Sequence, residues 1–363
     1  MAKVFGTDSP DILDGWFDGV TDDADTIFGL GGNDWIFGYG GDDILQGGDG
    51  ADVVNGGDGS DTASYGDSPT GVIVNLATGH GSGGTAEGDL FMSVENLSGS
   101  AFNDFLVGNY QPNVLSGGWG NDTLNGGAGG DILNGGTGVD TASYVDSPAG
   151  VMVSLLWDTA SGGDAQGDDL NSIENINGSH HDDSLYGDHA ANVLWGRGGD
   201  DTLLGFGGND TLWGDERGGS GDDLLNAGAG ADILIGGLGA DVLVGGTDGD
   251  SFVWHDTNES AGVSKWGVDV LKTDVILDFN PTEDHIDLHG IDADATINGN
   301  QDFDFIGELT AAGGFSAAGQ IAYFFNGTDT YVFLNTAADV DGAFEMAIRL
   351  PGQHALDASS FVL

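Results

Sequence analysis

The chain has 363 residues, of which 69 are glycine, 60 are aspartate or glutamate and only 6 are lysine or arginine, so its formal net charge is -54. This charge excludes direct binding to nucleic acid or to an anionic membrane, because both need a basic protein surface. The chain contains no cysteine, which excludes disulfides, thiolate metal sites and thiol catalysis. A chain this acidic repels itself and tends to stay unfolded until a cation neutralises its carboxylates.

Residues 1–64 contain an N-terminal cap, which we expect to cover the first coil, followed by a repeat with a period of nine residues. Between Asp25 and Asp61 an aspartate occurs at every ninth position, and a glycine-rich run precedes each of the last four. A large apolar residue (U) follows two positions after the aspartate, as at Ile36 and Leu45. The unit is therefore G-G-x-G-x-D-x-U-x. Its length predicts one short strand and one tight turn, and two such units, 18 residues, close one coil.

Residues 65–143 and 144–250 each begin with an insert and end with a further block of repeats. The inserts are copies of one another, because an offset of 79 residues relates Asp61 to Asp140 and Glu95 to Glu174. Within them, GVIVNL and GVMVSL alternate in the manner of strands, and S-x-E-N turns lead back into the nine-residue period. We therefore expect each insert to bulge from a coil that continues on both sides.

Some loops of the three blocks depart from the pattern. Four extra residues within WGDERG precede Asp223 and predict a bulge in that loop, and Asp248 stands where the last loop should have its fourth-place glycine. Other aspartates lie in loops without the usual glycines, so a ligand role and a role as a turn former both stay open for them. These are Asp11, Asp25, Asp104 and Asp183.

Residues 251–363 have no nonapeptides, and their short apolar runs between turn residues predict strands. The runs are SFVW, DVILDF, HIDLHG, IAYFF, TYVFL, EMAIRL and SFVL. This segment resembles the C-terminal module of serralysin-type metalloproteases. The residues that carry the resemblance are D-S-F-V-W at 250–254, D-V-I-L-D-F at 274–279, D-H-I-D-L at 284–288, F-D-F-I-G at 303–307, A-G-Q-I at 318–321 and the closing D-V-D-G…A-I-R-L-P-G. It implies a β module with a signal for type I secretion through an ABC transporter.

The repeating unit resembles the nonapeptide of RTX (hemolysin-type) calcium-binding proteins. This resemblance implies an all-β fold: a right-handed parallel β-roll (β-helix) with inserted β modules and a C-terminal β module. It also implies calcium ions held between the loop of one repeat and the loop two repeats later. Two aspartates and four backbone carbonyls would bind each ion, which meets the 6 to 8 oxygen ligands that calcium takes.

The implied ligands fall on residues of all three blocks. The aspartates are Asp34, Asp43, Asp52, Asp61, Asp122, Asp131, Asp140, Asp201, Asp210, Asp223, Asp232, Asp241 and Asp250. The carbonyls belong to Gly29, Gly31, Gly38, Gly40, Gly48, Gly50, Gly57, Gly59, Gly118, Gly120, Gly135, Gly219, Gly221, Gly228, Gly230, Gly237 and Gly239. About seven calcium sites follow, from the pairs Asp34 with Asp52, Asp43 with Asp61, Asp122 with Asp140, Asp201 with Asp223, Asp210 with Asp232, Asp223 with Asp241, and Asp232 with Asp250.

We expect a secreted, extracellular protein that folds when calcium binds and serves as a matrix, surface or adhesion component. The N-terminus shows no apolar signal-peptide region and no run of 18 apolar residues occurs, so we expect type I export and no membrane span. Two alternatives stay open. One is an extracellular polysaccharide-binding module, in which Trp35, Trp119, Trp195 and Trp213 stack on sugars. The other is the non-catalytic calcium-binding part of a secreted hydrolase or epimerase system.

We do not expect an enzyme. The zinc-protease motif H-E-x-x-H and the nucleophile elbow G-x-S-x-G are both absent, and the two inserts share no histidine or nucleophile constellation. His180 and His181 invite a transition-metal interpretation, but the other insert has Ala101 and Phe102 at the same positions. His285 and His289 lack an evident third ligand.

Overall fold

The computed structural model describes residues 2–15, 18–216, 219–260, 272–293, 301–309, 315–336 and 344–363, together with two short strands at Val263–Ser264 and Gly267–Val268. Within these ranges the regular structure consists of strands and four short 3-10 turns, which confirms the all-β prediction. No described helix is long and apolar enough to cross a membrane. Two compact units divide the chain, Met1–Asn177 and Gly178–Leu363. The four segments read from the repeats are a finer division, which stays a prediction.

The first unit holds twenty strands, most of them three residues long. They are β1 (Lys3–Phe5), β2 (Ile12–Leu13), β3 (Thr26–Phe28), β4 (Trp35–Gly40), β5 (Ile44–Gln46), β6 (Val53–Asp58), β7 (Thr62–Ser64), β8 (Ile73–Asn75), β9 (His80–Ser82), β10 (Leu90–Met92), β11 (Asn96–Ser98), β12 (Phe105–Val107), β13 (Val114–Trp119), β14 (Thr123–Asn125), β15 (Ile132–Thr137), β16 (Thr141–Ser143), β17 (Met152–Ser154), β18 (Thr159–Ser161), β19 (Asp169–Asn171) and β20 (Asn175–Asn177). The 3-10 turns of this unit are Gly84–Ala86 and Gly163–Ala165.

In the first unit, the strands of consecutive coils pair with one another in parallel. β4 pairs with β6 so that Trp35 faces Val53, and β3 pairs with β5 so that Thr26 faces Ile44. Each partner lies 18 residues along the chain, because two nine-residue units complete one turn. One sheet has the order β1-β3-β5-β7-β11-β13-β15-β19, and the facing one runs β2-β4-β6-β10-β9-β8-β12-β14-β16-β20. The predicted parallel roll is therefore confirmed.

The interior of the roll is built from the apolar residue of each unit. Successive side chains of a strand point to opposite faces, so the residue two places after the aspartate, or after the Glu or Asn in its place, points inward while its neighbours point outward. These inward residues are no more than 1% exposed. They are Ile27, Ile36, Leu45, Val54, Ala63, Leu97, Leu106, Leu115, Leu124, Leu133, Ala142 and Ile176.

The inserts leave the coil and return to it, as expected. In the first insert, β8 and β9 form an antiparallel hairpin in which Ile73 faces Ser82. β10 then returns parallel to β6, with Leu90 beside Val53. The second copy repeats this arrangement with the hairpin of β17 and β18 and with β19 parallel to β15.

The second unit continues the same architecture. Its strands are β21 (Ser184–Tyr186), β22 (Val193–Arg197), β23 (Thr202–Gly207), β24 (Thr211–Asp215), β25 (Leu224–Ala229), β26 (Ile233–Ile235), β27 (Val242–Thr247), β28 (Ser251–Val253), β29 (Val263–Ser264), β30 (Gly267–Val268), β31 (Val275–Ile276), β32 (His285–Asp287), β33 (Asp304–Glu308), β34 (Gln320–Phe325), β35 (Asp329–Asn335), β36 (Met346–Pro351) and β37 (Phe361–Val362). Its 3-10 turns are Thr257–Ser260 and Ala358–Ser360.

The bulge before Asp223 lengthens one coil of the second unit. β23 pairs with β25 so that Thr202 faces Leu224, and β24 pairs with β26 so that Thr211 faces Ile233. Both partners lie 22 residues apart, four more than in a regular coil, so the ladder absorbs the extra residues without losing its register. Arg217 and Gly218, which belong to the bulge, lie outside the described residues.

The seven apolar runs of the C-terminal segment all contain strands, as predicted. β31 and β32 extend the roll, because β27 pairs with β31 and β28 with β32 in parallel. β34, β35 and β36 instead form an antiparallel meander. The D-V-D-G part of the closing motif, at 339–342, lies outside the described residues. The resemblance to a serralysin-type module stays a prediction.

Replacing Gly41 with Ala should destabilise the roll. Gly41 has a φ of +99°, and a Cβ built on it would lie 2.4 Å from the backbone nitrogen of Ala24. Strain of this kind costs about 1–3 kcal/mol, and a thermal or urea unfolding experiment in saturating calcium measures it. Gly66→Ala is the matched control, because a Cβ there meets nothing within 4 Å. An equal stability of the two variants would contradict the close approach of the coils.

Candidate metal site

The loop aspartates form a ladder along the roll. The backbone N–H of Asp34 donates to Oδ1 of Asp52 at 2.8 Å, and that of Asp43 donates to Oδ1 of Asp61 at 2.8 Å. The other five predicted pairs make the same contact. They are Asp122 to Asp140 at 2.7 Å, Asp201 to Asp223 at 2.8 Å, Asp210 to Asp232 at 2.7 Å, Asp223 to Asp241 at 2.9 Å and Asp232 to Asp250 at 3.0 Å. The structure therefore brings together the two aspartates of every pair that the spacing groups.

The second oxygen of each ladder aspartate is the unusual feature. These side chains are at most 2% exposed, and Oδ2 has no hydrogen-bond partner among the described residues. The set comprises Asp34, Asp43, Asp52, Asp61, Asp122, Asp131, Asp140, Asp201, Asp210, Asp223, Asp232, Asp241 and Asp250. Buried polar atoms are nearly always paired, and an unpaired buried carboxylate is costly. Thirteen equivalent oxygens in this state fit a cation as their partner.

Glycine leaves room beside twelve of these thirteen oxygens, and Ala227 takes the corresponding place before Asp232. A Cβ built on Gly38 would lie 2.3 Å from Oδ2 of Asp43 and 2.4 Å from the carbonyl oxygen of Gly56, one coil further on. Gly205 stands in the same relation to Asp210 and to the carbonyl of Ala227, at 2.2 Å and 2.6 Å. A side chain would fill the space between carboxylate and carbonyl. The donor set at each loop is thus made of hard oxygens, the kind that calcium prefers.

Many of the glycines predicted as carbonyl donors hold the left-handed angles that a tight turn needs. They are Gly48, Gly50, Gly57, Gly59, Gly118, Gly120, Gly228, Gly230 and Gly237. Asp248 adopts the same region with a φ of +80°, so the last loop keeps its turn without the glycine. In the bulged loop, a Cβ built on Gly214 would lie 2.2 Å from Oδ2 of Asp223. Gly214 is absent from the predicted carbonyl donors, as is Gly205 at the same place in a regular loop.

Burial governs the charge state of these carboxylates. It raises the pKa of Asp52 and Asp61 to about 6, that of Asp223 to about 7 and that of Asp201 to about 8, against partly offsetting hydrogen bonds from the backbone. For Asp241 burial again acts first, and the neighbouring Asp274 raises its pKa further. Surroundings that disfavour the anion become favourable once a cation lies against it. The ladder is therefore electrostatically suited to metal binding.

In the irregular loops, the aspartate carboxylates accept hydrogen bonds from a residue of the same loop. Ser179 donates its N–H to Oδ2 of Asp183 at 2.6 Å and its hydroxyl to Oδ1 at 2.9 Å. Thr21 donates both groups to Oδ2 of Asp25, and Asp11 and Asp104 receive the same bonds from the residue four positions earlier. This geometry favours the turn-forming role for these four. A Ser or Thr four residues before the aspartate is the sequence signal.

The ladder also continues through residues outside the nonapeptides. Asp52 donates its N–H to Oδ1 of Asp89, and the hydroxyl of Tyr65 donates to Oδ2 of Asp89, both at 2.9 Å. Asp131, Asp168 and Tyr144 repeat this in the second copy. In the second unit Asp241 continues to Asp274, whose Oδ2 accepts from the indole of Trp254, and Asp250 continues to Asp284. Sequence reasoning missed these partners, although two of them recur at the 79-residue offset.

The remaining candidates are histidines and tryptophans that are not members of the ladder. His180, His181, His285 and His289 are exposed. No group of three or more His, Cys, Asp or Glu side chains suited to a metal occurs in the described part of the chain. The ladder loops differ in kind, because they combine two carboxylates with backbone carbonyls. Of the tryptophans, Trp35 is 51% exposed and Trp119 68% exposed, and Trp195 and Trp213 are half-buried.

Comparison with known proteins agrees with this geometry. A family model described as RTX calcium-binding nonapeptide repeat (4 copies) matches residues 20–54, 28–63, 98–133, 112–142, 186–216 and 217–252. None of the curated proteins matches the chain. Among 36 solved chains that match, one is the AlgE6R3 subunit of the mannuronan C5-epimerase from Azotobacter vinelandii, at 30% identity over 50% of this chain and 78% of that one, with a TM-score of 0.24. On the evidence of its three blocks, the chain is an RTX calcium-binding nonapeptide-repeat protein.

Proposed function

We propose that this is a secreted protein whose roll folds as calcium binds outside the cell, and that it serves as a matrix, surface or adhesion component. One observation carries the calcium part: thirteen buried carboxylate oxygens, one in each regular loop, have no hydrogen-bond partner among the described residues. The repeat family is a calcium-binding one, which supports a binding rather than a catalytic role.

The ladder pairs would hold the calcium ions. Two aspartates one coil apart and the loop carbonyls around them would supply the ligands of each ion. The ion would supply positive charge where like charges otherwise face one another, and so would tie adjacent coils together. About seven ions would bring about +14 against the formal net charge of -54, so the folded protein would stay strongly acidic.

The balance of forces in the roll favours folding after export. Without calcium, the roll holds facing carboxylates around an interior only one side chain deep, so little apolar burial opposes their repulsion. Calcium is scarce in the cytosol and abundant outside, and metal binding that builds a site also folds the chain. The chain would thus pass through a type I secretion channel unfolded and fold after release.

A second candidate function is binding of an extracellular polysaccharide. The outer face of β4 carries Trp35, Phe37 and Tyr39 in a row, with ring centroids 6.3 Å and 6.2 Å apart. Trp35 and Tyr39 are 51% and 41% exposed. A row of exposed aromatic rings on a rigid strand offers a stacking surface for successive sugar rings.

Removal of calcium should unfold the repeats. We expect excess chelator to abolish most of the β signal in circular dichroism and millimolar calcium to restore it, because the ladder carboxylates repel one another without a cation. Excess magnesium is the control, since its small octahedral shell fits these loops poorly. Equal β content with and without chelator would contradict the proposal.

Asp232→Ala should remove two calcium ions, and Asp34→Ala should remove one. Asp232 accepts the N–H of Asp210 and donates its own to Asp250, so it belongs to two predicted pairs. Asp34 belongs to one predicted pair, with Asp52. Native mass spectrometry in calcium counts the bound ions. Asp58→Ala, which removes an exposed carboxylate from β6, is the control and should keep the full count. Equal counts for all three variants would contradict the assignment of the sites.

Trp35→Ala should weaken polysaccharide binding about two- to tenfold if the aromatic row binds sugar, since one stacking contact is worth about 0.5–1.5 kcal/mol. Affinity electrophoresis or glycan arrays in calcium measure this. Trp157→Ala is the control, because Trp157 is similarly exposed, at 58%, but lies in the second insert. An unchanged affinity in Trp35→Ala would contradict sugar binding by the aromatic row.

A further inference from the structure

The last aspartates of the first two blocks have partners that the nine-residue period does not provide. Asp61 and Asp140 each end a block, and one coil later the chain lies within an insert. There the N–H of Asp61 donates to Oε2 of Glu95 at 2.9 Å, and that of Asp140 donates to Oε2 of Glu174 at 2.8 Å. The two glutamates therefore occupy the ladder position of the next aspartate.

The S-x-E-N turn also brings a backbone carbonyl to the site. In a regular loop, Oδ2 of the aspartate faces the first-place carbonyl of the following coil, as Asp43 faces Gly56. Beside Asp61 this carbonyl is that of Ser93. A Cβ built on Gly56 would lie 2.1 Å from the Ser93 oxygen and 2.3 Å from Oδ2 of Asp61.

The second copy reproduces the arrangement. A Cβ on Gly135 would lie 2.2 Å from the carbonyl oxygen of Ser172 and 2.5 Å from Oδ2 of Asp140. Ser93 and Ser172 have φ angles of +47° and +51°. A residue with a side chain adopts this region only where its surroundings hold it there. The turn is thus held in a strained shape that sets its carbonyl against the carboxylate, in both inserts.

The carboxylates aimed at these turns each use one oxygen in the ladder, where Oδ1 of Asp61 accepts from Asp43 and Oδ1 of Asp140 accepts from Asp122. Asp61 and Asp140 are 0% and 1% exposed, and Oδ2 of each lacks a hydrogen bond among the described residues. The neighbouring ladder end differs. At Asp89 and Asp168, the oxygen that could face a cation accepts a tyrosine hydroxyl instead. At each insert, therefore, one ladder carboxylate accepts a tyrosine hydroxyl, while Oδ2 of the other has no hydrogen-bond partner among the described residues.

We propose that the S-x-E-N turn of each insert completes a further calcium site: Asp61, the Ser93 carbonyl and Glu95 bind one ion, and Asp140, the Ser172 carbonyl and Glu174 bind another. The proposal rests on the proposed calcium binding of the repeat blocks and adds two sites outside the nonapeptide pattern. Each ion would fasten the end of an insert to the roll, so that the inserts become ordered together with the blocks.

Native mass spectrometry of the full chain in calcium tests this proposal. Glu95→Gln and Glu174→Gln should each bind one ion fewer than the parent, and the double variant two fewer. Glutamine keeps an oxygen that accepts the ladder N–H, so circular dichroism in calcium should show the parent fold. The single variants keep the test valid if the double variant fails to fold. Glu87→Gln, at an exposed glutamate of the first insert that accepts the N–H of Gly83, should bind the parent number.

Asp232→Ala distinguishes a failure of the insert sites from a failure of the calcium binding by the repeat blocks. If Asp232→Ala loses ions while Glu95→Gln and Glu174→Gln keep the parent number, the insert sites are refuted and the calcium binding of the blocks stands. If none of these variants loses ions, the calcium assignment of the ladder itself fails.

Discussion

The structure depends on carboxylates stacked one above another in places that water barely reaches. Each ladder aspartate uses Oδ1 to accept the N–H of the aspartate one coil earlier, as Asp52 does for Asp34. This bond fixes the carboxylate and turns Oδ2 toward the next loop. A column of such groups cannot all be anionic without a counter-charge, because desolvation and mutual repulsion act together. A hard cation between the coils would offset both the desolvation and the repulsion.

The other features of the nine-residue unit follow from the same constraint. A cation between coils needs carbonyl oxygens close by, and glycine lets the backbone approach where a Cβ would collide, as at Gly38. The turn leaves only a short strand, so each unit buries one apolar side chain, such as Leu45. An interior one side chain deep supplies little hydrophobic stabilisation compared with a globular core. The proposed coupling of folding to calcium binding follows from this balance.

Local spacing, together with the resemblance to the RTX nonapeptide, was sufficient to predict the parallel roll, the inward apolar residues and the contact between paired aspartates, because all three recur with every coil. Contacts across a longer gap were missed. Asp89 and Glu95 meet the ladder 37 and 34 residues after their partners, a distance set by how the insert folds. The hydrogen bond from Ser179 to Asp183 could be predicted from the sequence, since the donor lies four residues before the carboxylate.

The ladder thus contains two kinds of carboxylate that differ in what completes them. In the regular loops Oδ2 has no hydrogen-bond partner among the described residues, which fits a cation. At Asp25, Asp104 and Asp183 a serine or threonine of the same loop satisfies this oxygen, and at Asp89 and Asp168 a buried tyrosine does. The closed positions lie where a block begins or where an insert returns to the coil. There the chain supplies its own hydrogen-bond donors at points where glycine-rich loops are absent, so that the roll accommodates inserts between the blocks.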